Sequence, residues 1–347
     1  MQESETLPRA HGEALGAVDF RQSPESFIVD EQLIFEPDGE GEHVYLQIRK
    51  RNTNTQWLAK QLAKISGIKV RDVSYAGLKD RHAVTTQWFS LILQTANEPE
   101  WQSVQLDNIE ILQSTRHRCK LRPGMVKQNR FVITLGNVMC TDVALAERLA
   151  LIKQLGVPNY FGRQRFGHGE ENITQARKMF AGDIKIRDRK LKGIYLSAAR
   201  SYLFNRVLAE RVRLGTWDKA IAGDCMMLDG SNSFFKMTEP DREIEKRINE
   251  FDIHPSGPMW GKGESVVSLA ALQLEQKVLI NEQAIMQGLE SANLKMDRRA
   301  LRMQVQKLRY NWLDKGLLAI EFELASGQYA TTVLKELFDL NEANDYL

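Results

Sequence analysis

The sequence predicts an α+β fold, a mixed or antiparallel sheet with helices, interrupted by an inserted and mainly helical domain. Three observations predict it. Alternating apolar segments of strand length lie near both ends of the chain. The long stretch between them reads as helices. The chain has 347 residues, 43% hydrophobic and 27% charged, enough for more than one ordinary core. The same composition excludes a disordered chain, a collagen-like repeat and a small disulfide scaffold.

Taken in order, Phe27-Ile-Val and Leu33-Ile-Phe are apolar, Pro37-Asp-Gly-Glu-Gly-Glu is a turn cluster, and His43 to Ile48 alternates. This reads as a hairpin or strand pair. Asn54 caps a helix carrying Trp57, Leu58, Leu62 and Ile65 on one face, which Gly67 ends. Val73 to Ala76 is a short strand, and an apolar strand resumes from Gln87 to Leu93. Asp80 therefore lies on the loop between two strands. From 129 to 135, Asn129, Phe131, Ile133 and Leu135 share one strand face. Three of the four are apolar, which puts Asn129 at the edge of the core. A helix over 142–155 uses Leu145, Leu149 and Ile152, and Gly156-Val-Pro158 closes it.

Beyond Gly156 the texture is helical, over 197–213, 243–251 and 269–289. Strand alternation returns over 317–324, where Leu318, Ile320, Phe322 and Leu324 interleave with Ala319, Glu321 and Glu323. Gly327-Gln-Tyr329 then leads into a final helix over 330–340. The division expected is a catalytic domain over 1–155 and 303–347, with 156–302 inserted. No internal repeat or low-complexity tract is visible.

Three cysteines, Cys119, Cys140 and Cys225, form no CxxC pair, and six histidines are scattered. No metal site is expected, and a reducing compartment fits. Nothing approaches the ~18 consecutive apolar residues of a transmembrane helix. Residues 1–18 hold three Glu and no apolar block, unlike a secretory signal, so the expected location is cytoplasmic, away from membranes.

The net charge of +2 says little, but its distribution says more. From Gln113 to Phe131 there are six basic residues and no acidic one. From Ile184 to Lys192 there are five against Asp188. Acidic residues gather over 36–42 and 339–345. Segregated charge of this kind suits a phosphate-binding face, although solvated strand and helix edges look the same in sequence.

The chemically informative segment is Tyr75-Ala-Gly-Leu-Lys-Asp-Arg-His-Ala-Val-Thr-Thr-Gln87. One carboxylate, Asp80, follows a glycine turn and is flanked by Lys79 and Arg81, cations that favour its charged form. A charged carboxylate serves as a nucleophile or a base. A surface Asp in a charged turn has the same local sequence, so wider context decides.

That context is a resemblance. Gly77-Leu-Lys-Asp80-Arg81 with Ala83, Thr85 and Gln87 resembles the signature of the TruD family of tRNA pseudouridine synthases. Asn129-Arg-Phe131 resembles the family's second motif, and Asn159-Tyr-Phe-Gly-Arg-Gln-Arg-Phe-Gly167 its third. Ser197-Ala-Ala-Arg-Ser201 with Leu203-Phe-Asn205 resembles its helical-domain motif. The four lie in the family's order and span nearly the whole chain.

The resemblance implies a pseudouridine synthase α+β core with an inserted TRUD domain. It implies isomerisation of uridine 13 in the tRNA D arm, with tRNA as the partner and no cofactor, metal or protein partner. It implies Asp80 as the catalytic carboxylate. Attack on the base, attack on the sugar carbon and removal of a sugar proton all remain open to it. By the same resemblance Phe27, Asn129, Phe131 and Tyr329 surround the uracil, and Tyr329 stands where relatives often carry Phe. A flipped base is read at its hydrogen-bonding edge and stacked on flat side chains. Plain core packing is the competing reading for the three aromatic residues.

Arg21 stands where some relatives carry Lys, and a cation there would pair with the catalytic carboxylate or with a phosphate. Candidate RNA-backbone contacts are Arg21, Lys79, Arg81, Arg116, Arg118, Arg163 and Arg165. His82 is read as loop structure. Two other classes compete with the isomerase. A non-catalytic tRNA-binding or RNA-folding protein would keep the scaffold without needing Asp80. A glycosidase would need two carboxylates across the scissile bond, and the motif offers one.

Overall fold

The computed structural model describes residues 7–93 and 98–342. The first six residues, and the acidic cluster beyond Glu342 including Asp345, lie outside the described residues. The chain divides into two compact units. A sheet unit comprises Leu15–Asp142, Gln306–Gly327 and Phe338–Leu347. A helical unit comprises Met1–Ala14, Val143–Val305 and Gln328–Leu337. The short segments 7–14 and 328–337 thus fold with the helices, although they lie in the outer sequence regions.

The sheet unit is built on β1 (Ala17–Phe20), β2 (Phe27–Leu33), β3 (His43–Arg51), α1 (Thr55–Ile65), β4 (Val73–Ser74), β5 (Val84–Ile92), β6 (Ile109–His117) and β7 (Val126–Leu135). From the later segments come β14 (Gln306–Asp314), β15 (Leu317–Ala325) and β16 (Asp339–Glu342). Seven of these strands run in the order β14-β15-β7-β2-β5-β3-β6, with β4 on β5 beside that path. The sheet is mixed, since β2 and β5 are parallel.

The segments 27–35 and 43–48 do not form the expected hairpin: β5 lies between β2 and β3. The reason is burial. Residues 85–91 of β5 are all buried, so this strand takes the sheet centre, flanked on both edges. The Asn54 cap holds, with Oδ1 accepting from the Gln56 and Trp57 amides. Gly67, at φ +65°, lets the Ile68 amide reach Ala63 O and the Gly67 amide reach Lys64 O. That pairing is a Schellman ending. The buried stripe of α1 is Leu58, Ala59, Leu62 and Ala63, against Val44, Leu46 and Ile48 of β3, so Trp57 is turned out, 43% exposed. The final helix is shorter than expected. It spans Ala330–Lys335, and Asp339–Glu342 instead pairs with β1 in parallel, Ala17 opposite Asp339.

The helical unit contains β8 (Val157–Pro158), α3 (Glu171–Ala181), α4 (Arg189–Arg213), β9 (Cys225–Leu228), β10 (Phe234–Lys236) and α5 (Arg242–Asn249). It continues with β11 (Ile253–Met259), α6 (Leu269–Leu279), α7 (Gln283–Ser291), β12 (Asp297–Ala300), β13 (Arg302–Met303) and α8 (Ala330–Lys335). The helix α2 (Asp142–Leu155) begins at the last residue of the sheet unit's first segment and buries Leu145, Leu149 and Ile152, as expected. The unit also holds a four-stranded sheet, β10-β9-β11-β12, absent from the sequence reading. Helix α4 starts eight residues before its expected start because Asp188 caps it, accepting from the Lys190 and Leu191 amides. The expected helix over 269–289 is two helices, broken at 280–282. Two buried ion pairs tie the unit, Arg211 to Asp224 at 2.9 Å and Arg298 to Glu275 at 2.8 Å. Among the described residues no helix is long and apolar enough to cross a membrane.

Candidate active site

The sheet unit places the second motif and β2 on one sheet face. Strand register sets Val29 opposite Phe131 and Glu31 opposite Asn129 across β2 and β7. Phe322 lies opposite Phe131 from β15. Cross-strand partners share a face, so Phe27, Val29, Glu31, Asn129, Phe131 and Phe322 all project to one side. The rings form a chain. Phe20 meets Phe27 edge-on at 5.6 Å, Phe27 lies 6.2 Å from Phe131, and Phe131 stacks on Phe322 at 5.5 Å. Phe27 is 2% exposed and Phe131 7%, so both also serve as core.

The loop carrying Asp80 joins β4 to β5 and is stapled to this core. Gln87 Nε2 donates to Gly77 O at 2.6 Å, which ties the two ends of the first motif together. Thr55 Oγ1 donates to Gln87 Oε1 and accepts from the Lys79 amide, both at 3.2 Å. Lys50 Nζ donates to Thr53 O at 2.7 Å and to Asp80 O at 3.2 Å. A carboxylate on a loop held at these points has a fixed position, which is what a reacting group needs.

Its charge partner is Arg21. Arg21 Nη2 donates to Asp80 Oδ2 at 2.8 Å, with both side chains largely covered. The guanidinium also lies over the rings of Phe27, at 4.3 Å, and Phe20, at 5.0 Å. Of the two cations adjacent to Asp80 in sequence, Arg81 is exposed. Lys79 turns inward. Its Nζ sits 2.8 Å from Glu31 Oε2 and donates to Asn129 Oδ1 at 2.7 Å. Asp80, Arg21, Phe27 and Phe131 are thus joined through successive contacts, and Lys79 ties Asn129 to the loop that carries Asp80.

Sequence reasoning missed Lys50 and Glu31. Lys50 is fully buried. Burial pushes its ammonium down to about 8, while the Asp80 carboxylate opposes this shift and the Lys79 charge adds to it. The signal was there in the alternation Val44, Leu46, Ile48, Lys50, which carries the lysine onto an apolar face. Phe27, Val29, Glu31 does the same for the glutamate.

Apart from the exposed Arg163, the remaining candidates each have other partners within their own unit. In the sheet unit, Arg116 is held by Glu98 and donates to Gly41 O and Leu93 O. Arg118 pairs with Glu40 in an exposed contact. The acidic 36–42 cluster and the basic run thus neutralise each other in part. In the helical unit, Asn205 brackets the backbone of Phe161, accepting from its amide at 2.9 Å and donating to its carbonyl at 3.0 Å. The third motif and the helical-domain motif hold each other this way. Arg165 donates to Ser197 Oγ at 3.0 Å and to the Tyr329 hydroxyl at 2.9 Å. Arg299 lies over Phe161 at 4.2 Å and donates to Asn159 Oδ1 at 2.6 Å. Burial brings the Arg299 guanidinium down to about 10, with the Tyr329 hydroxyl opposing and the Arg165 charge contributing. Arg163 is exposed. Among the described residues no group of three or more His, Cys, Asp or Glu is placed to hold a metal ion.

The backbone matches the crystal structure of a protein assigned as tRNA pseudouridine synthase D from Methanosarcina mazei, with a TM-score of 0.72 at 22% identity over 95% of each chain. The fold is that of a pseudouridine synthase. The family model for tRNA pseudouridine synthase D (TruD) matches residues 13–185 and 170–337. Over 335 residues the chain is 47% identical to tRNA pseudouridine synthase D of Methylococcus capsulatus, covering 96% of this chain and 95% of that one. It is 46% identical to that of Nitrosococcus oceani, over 93% and 91%. The chain belongs to the TruD family of tRNA pseudouridine synthases.

Proposed function

We propose that the protein converts uridine 13 of the tRNA D arm to pseudouridine in the cytoplasm, with Asp80 as the catalytic carboxylate. Family membership supports pseudouridine synthase activity on tRNA. The observation that carries the residue assignment is the Arg21–Asp80 pair at 2.8 Å, in a loop fixed to the same face as Phe27, Asn129 and Phe131.

The reaction breaks the bond from uracil N1 to the ribose C1′ and forms one from C5 to C1′. The proton on C5 leaves and N1 gains one, so nothing is oxidised and no second substrate is consumed. The base must leave the RNA stack and then turn while held. Asp80 supplies the anionic group that starts the exchange. Arg21 aims it by a charge-assisted hydrogen bond and is itself aimed by the Phe27 ring. Phe131 offers a flat surface to the ring, and Asn129 a hydrogen bond to its edge. Arg81 in the sheet unit, and Arg163, Arg165 and Tyr329 in the helical unit, are proposed to bind the RNA.

The test is incubation of the purified protein with unmodified tRNA transcripts, followed by mapping of carbodiimide-dependent reverse-transcription stops. A new stop at position 13 is expected. Stops elsewhere would displace the position assignment, and none would remove the activity.

A further inference from the structure

An ammonium group has hydrogens to give and no lone pair to offer. Lys79 Nζ stands 2.7 Å from the Asn129 side chain, so the Asn129 amide must turn its oxygen toward it. Lys79 is in turn pinned by Glu31, 2.8 Å away, whose side chain is fully buried. The other Glu31 oxygen accepts from the Trp88 amide at 3.1 Å. That amide lies beyond the register over which β5 pairs with β2, so the carboxylate is fixed by a backbone donor that needs it. Trp88 thus donates to Glu31, Glu31 holds Lys79 as an ion pair, and Lys79 donates to Asn129, so the polarity at Asn129 is set by the ammonium. Rotating the amide by half a turn would set its NH2 against the ammonium and leave a nearly buried cation short of an acceptor.

An isolated asparagine both donates and accepts. Here the oxygen is held toward the Lys79 ammonium, and among the described residues no hydrogen bond is made by the Asn129 NH2 on the other side. We propose that Lys79 and Glu31 lock Asn129 as a donor, so that the site selects a base presenting a carbonyl oxygen at that edge. Lys79 and Glu31 are positioning residues that act through Asn129. The inference rests on the reading of Asn129 as a uracil contact and adds the polarity of that contact.

The experiment measures single-turnover conversion of three tRNA transcripts carrying uridine, 2-thiouridine or 4-thiouridine at the target position. Sulfur is a poorer acceptor than oxygen. The parent should be slowed about tenfold by one of the two replacements, in line with a hydrogen bond used for discrimination. Lys79→Met frees the amide to turn, so the sulfur penalty should shrink to below about threefold although the rate on uridine also falls. Lys79→Arg keeps a donor-only cation and should retain the penalty. A purely structural role for Lys79 would slow all three substrates by one common factor. A Lys79→Met protein that melts like the parent and keeps the full penalty would overturn the proposal, as would a parent indifferent to both sulfurs. Should Lys79→Met fail to fold, Lys79→Leu, which likewise offers no donor to the amide, is read by the same criterion. A parent that converts no uridine would instead refute the activity itself, and this inference with it.

Discussion

Arg21 reaches Asp80 from a backbone conformation that arginine rarely adopts. The guanidinium donates to the carboxylate at 2.8 Å while the residue sits at φ +57°. A side chain in the left-handed region costs about 1 kcal/mol, and such strain persists only where surrounding contacts over-determine it. Here those contacts are the ring of Phe27 beneath the guanidinium and the carboxylate before it. Removing the guanidinium with Arg21→Ala should lower kcat by about 10- to 100-fold with a smaller change in KM for tRNA. Arg21→Lys should restore only part, because an ammonium lacks the planar fork. Arg21→Gly removes the same group but relieves the backbone, so it should melt above Arg21→Ala while being as inactive.

Lys50 gives a pH signature. Its folded value, about 8, lies below the 10.5 of the unfolded chain. Between those values the unfolded chain holds the proton and the folded one does not, so stability from this group rises with pH across 8 to 10.5. The penalty of burying the charge, about 3 kcal/mol at most, is fully present below pH 8 and gone above 10.5. Urea unfolding of parent and Lys50→Met at pH 8 and pH 10 tests this. The difference in unfolding free energy should move in the parent's favour at the higher pH.

Phe131 packs as core and is proposed to stack on the base, and the two roles separate by substitution. Phe131→Ala should destabilise by about 3–5 kcal/mol, since it opens a cavity beside Phe322 and Phe27. Phe131→Leu fills most of that space and should cost under about 1.5 kcal/mol by urea unfolding. It nonetheless removes the flat surface, worth about 1–3 kcal/mol per stacked base, so conversion should fall at least about fivefold. A folded Phe131→Leu protein with parental turnover would leave the ring as core alone.

Exposed and paired arginines should behave differently toward RNA. Arg81 and Arg163 are exposed, and Ala at either should weaken tRNA binding and reduce the salt slope of log K by about 1. Arg116 is engaged by Glu98 and two backbone carbonyls. Arg116→Ala should leave the salt slope unchanged and lower stability by about 1–3 kcal/mol, because it strands those acceptors. Filter binding across a salt series, with a thermal melt of each variant, separates the two outcomes.

Much of this was legible in the chain because its signals are local. The Asn54 cap, the 142–155 helix and the alternation around Phe131 and Phe322 each follow from a few adjacent residues. The short strand Cys225–Leu228 has too few residues to show a period of two. The apolar spacing of Val333, Leu334, Leu337 and Phe338 suits a helix. The chain nevertheless leaves α8 at Lys335 so that Asp339–Glu342 can pair with β1, a long-range contact invisible locally. At the site, the motifs named Asp80, Asn129 and Phe131, and the resemblance offered Arg21, 59 positions away, as a partner for the carboxylate or for a phosphate, of which the structure shows the first. Charge adjacency pointed to Lys79 and Arg81 instead. A loop's neighbours in sequence diverge in space, so Lys79 serves Asn129 and Arg81 faces water.

Single-turnover pseudouridine formation by Asp80→Asn, alongside its tRNA affinity, tests the central claim most directly. The variant keeps shape and hydrogen-bonding atoms and loses only the charge, so it should bind tRNA within about threefold of the parent yet form no detectable pseudouridine. Conversion at a rate near that of the parent would contradict the assignment of Asp80.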